Sequence, residues 1–375
     1  MSQTATPDLS LSLSGERPGH GSAAAFAGAA LVVVVVAALL AGFVPLGFSI
    51  VTVFLFAGPH NWVEFRYFLS RMPPRWGPLR TFYLTGILGT LVLTAAYIAM
   101  AVTARSPYWD GHTLTTAAAA WNCALVLWVC ALVALRNGHR RRMAEEESQG
   151  RSETAPLHGE LDRASATPAA ATANPWLLPM GVGFTLVAGV WLWPAAWEIG
   201  LVYLHPFIAL WFLDREIARQ RPAWQRAYRR CLPAIPVALG VLWWRLADAP
   251  PLAGGNDMLT MRITAHAGAD IITGVSSHAL VATHTFLEML HYGVWLVAIP
   301  LVAMRAAPWR LAAVPIARHS VTWKRAVVFA GVAGALIVVV LWGGFLADYP
   351  ITRDAYFTVA IGHVLAEATF LLRLL

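Results

Sequence analysis

Long apolar runs separated by short polar loops make up most of the chain and recur ten times. A helix needs about 20 apolar residues to cross a bilayer, and most of the runs approach or exceed that length. The pattern therefore predicts an all-α protein, a polytopic integral-membrane helical bundle with about ten transmembrane helices. The predicted spans are residues 23–42, 46–69, 79–103, 112–136, 175–194, 196–213, 231–247, 270–303, 326–347 and 351–373.

Two polar stretches interrupt this pattern. Residues 1–22 are rich in Ser, Thr, Gly and Pro and are predicted to be a disordered cytoplasmic tail. The apolar run that follows is too long for a signal-peptide core, so it is interpreted as a retained span. Residues 137–174 are predicted to be a cytoplasmic linker, either a solvated spacer or a regulatory segment, between helices 1–4 (23–136) and helices 5–10 (175–375).

Basic residues alternate between the two ends of the predicted spans. The loops after the second, fourth, sixth and eighth spans carry clusters of Arg, whereas the intervening loops are poor in Arg and Lys. Because loops rich in Lys and Arg stay in the cytoplasm, the alternation predicts that both termini are cytoplasmic. The predicted location is the cell (inner) membrane, with many passes.

Composition agrees with a protein whose main partner is the lipid bilayer. Hydrophobic residues make up 58% of the chain and charged residues 13%, against about 45–50% and about 25% in soluble domains. The net charge of +7 comes from loop residues, which argues against nucleic acid as a partner. The three cysteines form no CxxC motif, and helix packing is favoured over a disulfide or metal role.

Three intramembrane glutamates each follow a histidine by four residues. Ionisable groups at this depth cost several kcal/mol unless they are paired or bind a ligand, so they are functional candidates. The spacing places the two side chains of each pair on one helix face. We predict that the three glutamates tune metal ligands or handle protons in catalysis. The pairs are His60 with Glu64, His284 with Glu288, and His363 with Glu367.

Depth along the helices suggests which histidines meet. At about 1.5 Å per residue, His60, His205, His284 and His363 all fall near the middle of the membrane on spans that run in the same direction. We therefore predict these four as metal ligands. His291 lies seven residues after His284, on the same face and deeper, and is predicted either as a fifth ligand or as a proton carrier toward the cytoplasm.

Neutral imidazoles bind iron, copper or zinc, and carboxylates near them adjust their basicity. Four imidazoles in an apolar surround favour non-haem iron acting on O₂ and an apolar substrate such as a lipid or polyene, as in an oxidoreductase. Copper stays open, and so does haem, because His278 and His291 are 13 residues apart, a spacing that can serve two haems. A proton or metal-ion transporter that uses the same pairs is the alternative to an enzyme.

The stretch Gly58-Pro59-His60, with Glu64 four residues on, resembles the Pro-His motif of the bacterial and archaeal membrane-bound β-carotene dioxygenases of the Brp/Blh type. The resemblance implies a polytopic, iron-dependent enzyme that cleaves a carotenoid to retinal, with His60 as a ligand and Glu64 beside it. This chain has Asn61-Trp62-Val63 where that family has small residues, and Glu64 where it has Asp.

Overall fold

A computed structural model describes residues 20–73, 75–104, 106, 109–154, 174–252, 257–304, 311 and 314–374. Twelve α-helices account for most of the described residues. In chain order they are α1 His20–Phe43, α2 Pro45–Arg71, α3 Arg80–Thr103, α4 Gly111–Thr154, α5 Leu177–Leu192, α6 Pro194–Gln220, α7 Pro222–Cys231, α8 Ala234–Leu246, α9 Met258–His266, α10 Ser277–Gly293, α11 Val321–Ala347 and α12 Tyr349–Leu374. Most of the predicted tail, 1–22, lies outside the described residues.

The structure confirms the all-α helical bundle of a polytopic membrane protein. Eight helical segments of the described chain are long and apolar enough to cross a bilayer. The fifth and seventh predicted spans correspond to α5 and α8, which have 16 and 13 residues and are shorter than the usual crossing. Helix length therefore supports eight of the ten predicted crossings.

Two helix boundaries differ from the predicted spans. Helix α4 continues to Thr154, so the first part of the predicted linker 137–174 is helical, and residues 155–173 lie outside the described residues. The Arg, Glu, Met and Ala residues of this extension are good helix formers, which explains the continuation without an apolar face. Helix α10 begins at Ser277 rather than near residue 270, because α9 and a series of turns precede it.

Helices α2, α6, α10 and α12 form the centre of the bundle. Their largest fully buried side chains include Tyr67, Phe212 and Phe286, and the fully buried Trp295 lies in the π-helical turn that continues α10. Contacts such as the hydrogen bond from Tyr349 to the Ile50 carbonyl at the start of two helices, and the ion pair of Arg71 with Glu216 at the end of two, show that these helices run in parallel. We call the end at which they begin the outer end, since loop charge predicts that it faces the outside.

The peripheral helices expose apolar side chains. On α11, Phe329 and Leu346 are 75% and 77% exposed, and α1 presents a similar row of valines and leucines. A soluble protein rarely exposes apolar patches this continuous, whereas lipid chains would cover them. The fold therefore places a closed polar centre inside an apolar shell.

Glycines allow α3 to approach its neighbours closely. A Cβ atom at Gly86 would lie 2.4 Å from Cγ2 of Thr369 on α12, and one at Gly89 would lie 1.9 Å from the indole nitrogen of Trp128 on α4. Close approach through small residues is a common basis of helix packing in membranes. This contact braces α12, which carries two of the candidate site residues.

Candidate metal centre

Four histidine rings from four helices meet inside the central bundle. His60 on α2, His205 on α6, His291 on α10 and His363 on α12 contribute one ring each. The ring centroids of His205 and His291 are 4.5 Å apart, those of His60 and His363 are 5.2 Å apart, and those of His60 and His291 are 5.3 Å apart. Side chains this far apart in the chain share one small volume because each ring lies about halfway along its helical segment and the four helices pack together at that level.

Two glutamates join the rings and complete two overlapping groups of ligand atoms. One ligand atom each from His60, Glu64, His291 and His363 lies within 4.8 Å of the others, and the same holds for His205, His291 and Glu367. His291 belongs to both groups. The described residues therefore offer imidazole nitrogen and carboxylate oxygen atoms, arranged so that they could hold a metal ion.

The ligand atoms of this centre lack the partners that buried polar atoms normally have. Both carboxylate oxygens of Glu64, and both ring nitrogens of His205 and of His291, have no hydrogen-bond partner among the described residues. Glu64 is fully buried. Burying such groups without partners costs several kcal/mol, and a bound cation would offset that cost. The donor set of this centre therefore fits a metal ion.

The hydrogen bonds that do exist orient the candidate ligands. Nδ1 of His60 lies 3.0 Å from the Phe56 carbonyl, one helical turn back, which assigns the proton to Nδ1 and leaves Nε2 free. On α12, Oε1 of Glu367 accepts a 2.7 Å hydrogen bond from the indole of Trp295. Its Oε2 lies 3.3 Å from Nδ1 of His205, without hydrogen-bond geometry.

Irregular helix geometry surrounds three of the four histidines. Pro59 directly precedes His60 within α2, and Pro206 directly follows His205 within α6. After His291 the helix continues with wider π-helical turns at Val294–Ala298 and Pro300–Met304. Proline removes a backbone donor and π-turns re-aim the residues beside them, and both are frequent where helices carry functional groups.

The structure places His291, and not His284, at the level of the other three rings. His60, His205 and His363 are 15, 11 and 14 residues from the first residues of their helices, or about 22, 16 and 21 Å. The prediction measured His284 from residue 270, but α10 begins at Ser277. His291 is therefore about 21 Å along its helix, whereas His284 is only about 10 Å along.

His284 and Glu288 instead form part of a separate polar group nearer the outer end. Oε1 of Glu288 accepts a 2.8 Å hydrogen bond from the Tyr292 hydroxyl, and its Oε2 is 4.0 Å from Nδ1 of His284. The His284 ring lies 4.9 Å from that of His266 on α9. The structure thus brings together six of the eight predicted site residues and separates His284 and Glu288 from them. The six that meet are His60, Glu64, His205, His291, His363 and Glu367.

A cavity of about 740 Å³ connects both polar groups. Its outer part is lined by Arg262, His266, His284 and Arg353, and its inner part reaches all four rings of the centre. A third part is apolar and extends sideways between α4, α5 and α6. A volume of this size is typical of a site for a small organic molecule.

Sequence reasoning missed several residues of this region. Trp295 was not singled out, although it lies four residues after His291 and therefore on the same helix face. His266 precedes the eighth predicted span and Arg353 lies at the start of the tenth, so the predicted spans place neither residue near the middle of the membrane. The signals for the true start of α10 were present in the sequence, since Gly274 has a φ of +83° and the Ser276 side chain caps the helix by accepting from the backbone N–H of His278.

No protein-family model, no curated protein and no solved structure matches this chain. The resemblance of the Gly58-Pro59-His60 stretch to the Brp/Blh-type dioxygenases stays a prediction, because none of these comparisons bears on it.

Proposed function

We propose that this protein is an integral-membrane non-haem iron oxygenase that acts on an apolar, carotenoid- or lipid-like substrate. One observation carries the proposal: four imidazoles and two carboxylates, mostly without other partners, converge at the inner end of a cavity that is lined largely by apolar side chains. The proposed ligands are drawn from the residues His60, His205, His291, His363, Glu64 and Glu367.

The chemistry of the donor atoms supports iron. Imidazole and carboxylate ligands with open positions are the set used by non-haem Fe(II) oxygenases, whereas thiolates favour zinc, copper(I) or iron–sulfur clusters. The three cysteines are free thiols, and none belongs to the two groups of candidate ligand atoms. Bound iron would supply the activation of O₂, and the protein would hold the substrate and exclude water.

The number of ligands favours non-haem iron over haem. A haem iron accepts at most two axial protein ligands, and carboxylates are not among its usual ones. This centre gathers four imidazoles with two glutamates, more than a haem would use. If haem is bound instead, the absorption spectrum described below will show a Soret band.

Packing on the inner side of the centre favours an enzyme over a transporter. One to two turns beyond the histidines, the rings of Tyr67, Phe68, Phe212 and Trp295 pack against each other with centroids 5.3–6.5 Å apart. Each of these four side chains is less than 7% exposed. A transported ion would have to cross this aromatic layer, whereas an enzyme needs access from one side only.

Several residues have roles that follow from their contacts. The Phe56 carbonyl fixes the tautomer of His60, and Trp295 holds the Glu367 carboxylate toward His205. The Tyr292 ring lies 4.4 Å from that of His60 and covers one face of it. The apolar lateral part of the cavity would admit a substrate from the lipid, and the resemblance to β-carotene dioxygenases makes a carotenoid the first substrate to test.

Elemental analysis with an absorption spectrum on detergent-purified protein tests the proposal. We expect stoichiometric iron that survives dialysis, no Soret band, and O₂ consumption on addition of β-carotene or an unsaturated lipid that His291→Ala abolishes. Protein purified from iron-supplemented cells that retains no metal would contradict the metal centre. A metal lost on dialysis would favour the transporter, and a Soret band would favour haem.

A further inference from the structure

The outer part of the cavity contains a buried cation without a contacting counter-ion. Arg353 is only 3% exposed, and its Nε has no hydrogen-bond partner among the described residues. Its guanidinium lies 4.7 Å from the centre of the Phe357 ring, which covers one face. A buried charge of this kind is costly unless an oppositely charged group reaches it.

Within the part of the chain that the structure describes, neither nearby carboxylate forms an ion pair with Arg353. Asp354, the next residue, forms an ion pair with Arg262 at the mouth of the cavity. Glu288 accepts the hydrogen bond from Tyr292 and forms no ion pair with Arg353 among the described residues. The other polar groups that face this part of the cavity are His266 and His284. The Tyr349 hydroxyl, which donates to the Ile50 carbonyl, contacts Arg353 from outside the cavity lining. Glu288 attracts Arg353 without contacting it, so the guanidinium keeps a buried donor, Nε, that is available to an anion in the cavity.

The other parts of the cavity have a different character. The lateral part is lined by apolar side chains from α4, α5, α6 and α12, among them Leu125, Val129, Leu186, Leu201 and Ile361. Arg353 and His363 are ten residues apart on α12, or about 15 Å, which is half the thickness of a hydrocarbon core. A molecule anchored at Arg353 would thus reach the histidines with a chain that spans about one leaflet.

We propose that the cavity binds a single-chain amphiphile, with its anionic head group at Arg353 and its apolar chain extending to the histidine centre. A planar guanidinium binds a carboxylate or a phosphate group with two parallel hydrogen bonds, so either head group has the required chemistry. The proposal narrows the lipid-like substrate of the oxygenase to an anionic amphiphile, in place of an uncharged carotenoid, and in that respect rests on the proposed function. The binding itself does not require the metal.

The binding test uses cis-parinaric acid, a fluorescent polyene fatty acid, and its methyl ester as the uncharged control. Wild-type protein in nanodiscs should bind the acid at least about tenfold more tightly than the ester, the effect of one charge-assisted pair. Arg353→Gln should remove this preference and leave the ester affinity unchanged. The matched control is Arg245→Gln, which removes an exposed charge at the same outer end, where Arg245 stacks on Phe43 outside the cavity.

A competition experiment separates the two head groups. Displacement of the probe mainly by palmitate would identify a carboxylate ligand, and displacement mainly by lysophosphatidate would identify a phosphate ligand. Both results support an anionic head group. Displacement by hexadecanol as efficient as by either anion would overturn the proposal.

Equal affinities of the wild-type protein for the acid and the ester would also overturn it, without any variant. The same holds if Arg353→Gln, eluting as a monodisperse species with unchanged metal content, keeps the preference. Iron-free protein should bind the acid with the same preference over the ester. The binding test can therefore be interpreted even if the protein contains no metal. Iron-loaded protein that lacks the preference would support the metal centre but contradict the proposal of an anionic ligand.

Discussion

The same local pattern, a histidine followed four residues later by a glutamate, has two different environments in this protein. On α2, His60 and Glu64 meet histidines from two other helices, and the Glu64 oxygens have no hydrogen-bond partner among the described residues. On α10, His284 and Glu288 lie closer to the outer end, where Tyr292 donates a hydrogen bond to the carboxylate. The first pair belongs to a set of converging ligand atoms, and the second lines the route toward it.

The difference shows that spacing along one helix selects candidates but does not make a site. Spacing at four residues aligns two side chains on one face, and every ligand beyond those two must come from another helix at matching depth. His60 has such partners in His291 and His363, whereas the ring neighbours of His284 are His266 and Tyr203. The following experiments test whether this distinction is functional.

The largest contrast should appear between His291→Ala and His284→Ala. We expect His291→Ala to lose most of the bound metal, because His291 belongs to both groups of ligand atoms, while His284→Ala retains it. Metal content of dialysed protein measures the effect, with monodisperse elution as the control for folding. Metal loss in both variants, or in neither, would remove the distinction between the two regions.

A smaller contrast is expected between Glu64→Gln and Glu288→Gln. Loss of the Glu64 charge should lower metal affinity about 10–100-fold, as changes beside metal ligands usually do. Glu288→Gln should leave affinity nearly unchanged, since the carboxylate lies outside both groups of ligand atoms. Competition with a metal chelator measures both affinities. Equal effects would mean that the outer pair influences the metal as strongly as the inner one.

Trp295→Phe tests the support that the centre receives from a neighbouring helix. The variant removes the hydrogen bond to Glu367, worth about 1.5–3 kcal/mol when the acceptor is charged. Because only part of that energy acts on the metal, metal binding should weaken about tenfold or less. Trp342→Phe is the matched control, because its indole donates to the Phe54 carbonyl away from the centre. Metal affinity that is unchanged in Trp295→Phe would show that Glu367 needs no such support.

The smallest effect should come from protonation in the outer region. Burial, aided by His284 and Arg353, holds the pKa of His266 well below its ordinary value. Above a pH of about 6.5 both folded and unfolded chains carry a neutral His266, so this group changes nothing. Below it the unfolded chain takes up a proton that the folded chain does not, and stability should fall by up to about 1.4 kcal/mol per pH unit.

His266→Phe should therefore make the loss of thermal stability between about pH 7 and about pH 5 shallower than in the wild type. The midpoint of thermal unfolding in detergent measures it. His112→Phe, which changes an exposed histidine near the start of α4, should keep the wild-type slope. If His266→Phe leaves the pH dependence of thermal stability unchanged, protonation of His266 does not destabilise the folded protein.

The apolar runs alone determined that this chain is a helical membrane bundle, because the length and polarity of a span are local properties. They also made His60, His205, His363, Glu64 and Glu367 candidates, since an ionisable group within an apolar run stands out without knowledge of its neighbours. His291 was named as a possible fifth ligand for the same reason. Helices α5 and α8 are a few residues shorter than the predicted spans, because hydropathy does not fix the exact ends of a helix.

Only the tertiary structure decided which histidine of α10 joins the centre. That choice depends on where the helix starts. The Ser276 cap favours a start at Ser277, and the packing of α9 and its turns against α2 and α10 fixes it there. Likewise, only the structure shows that Arg353 forms no ion pair, because its neighbour Asp354 is paired with Arg262 of α9. Residue type and spacing are properties of the sequence. The depth of a side chain in the bundle and its contact partners depend on packing between helices that are far apart in sequence.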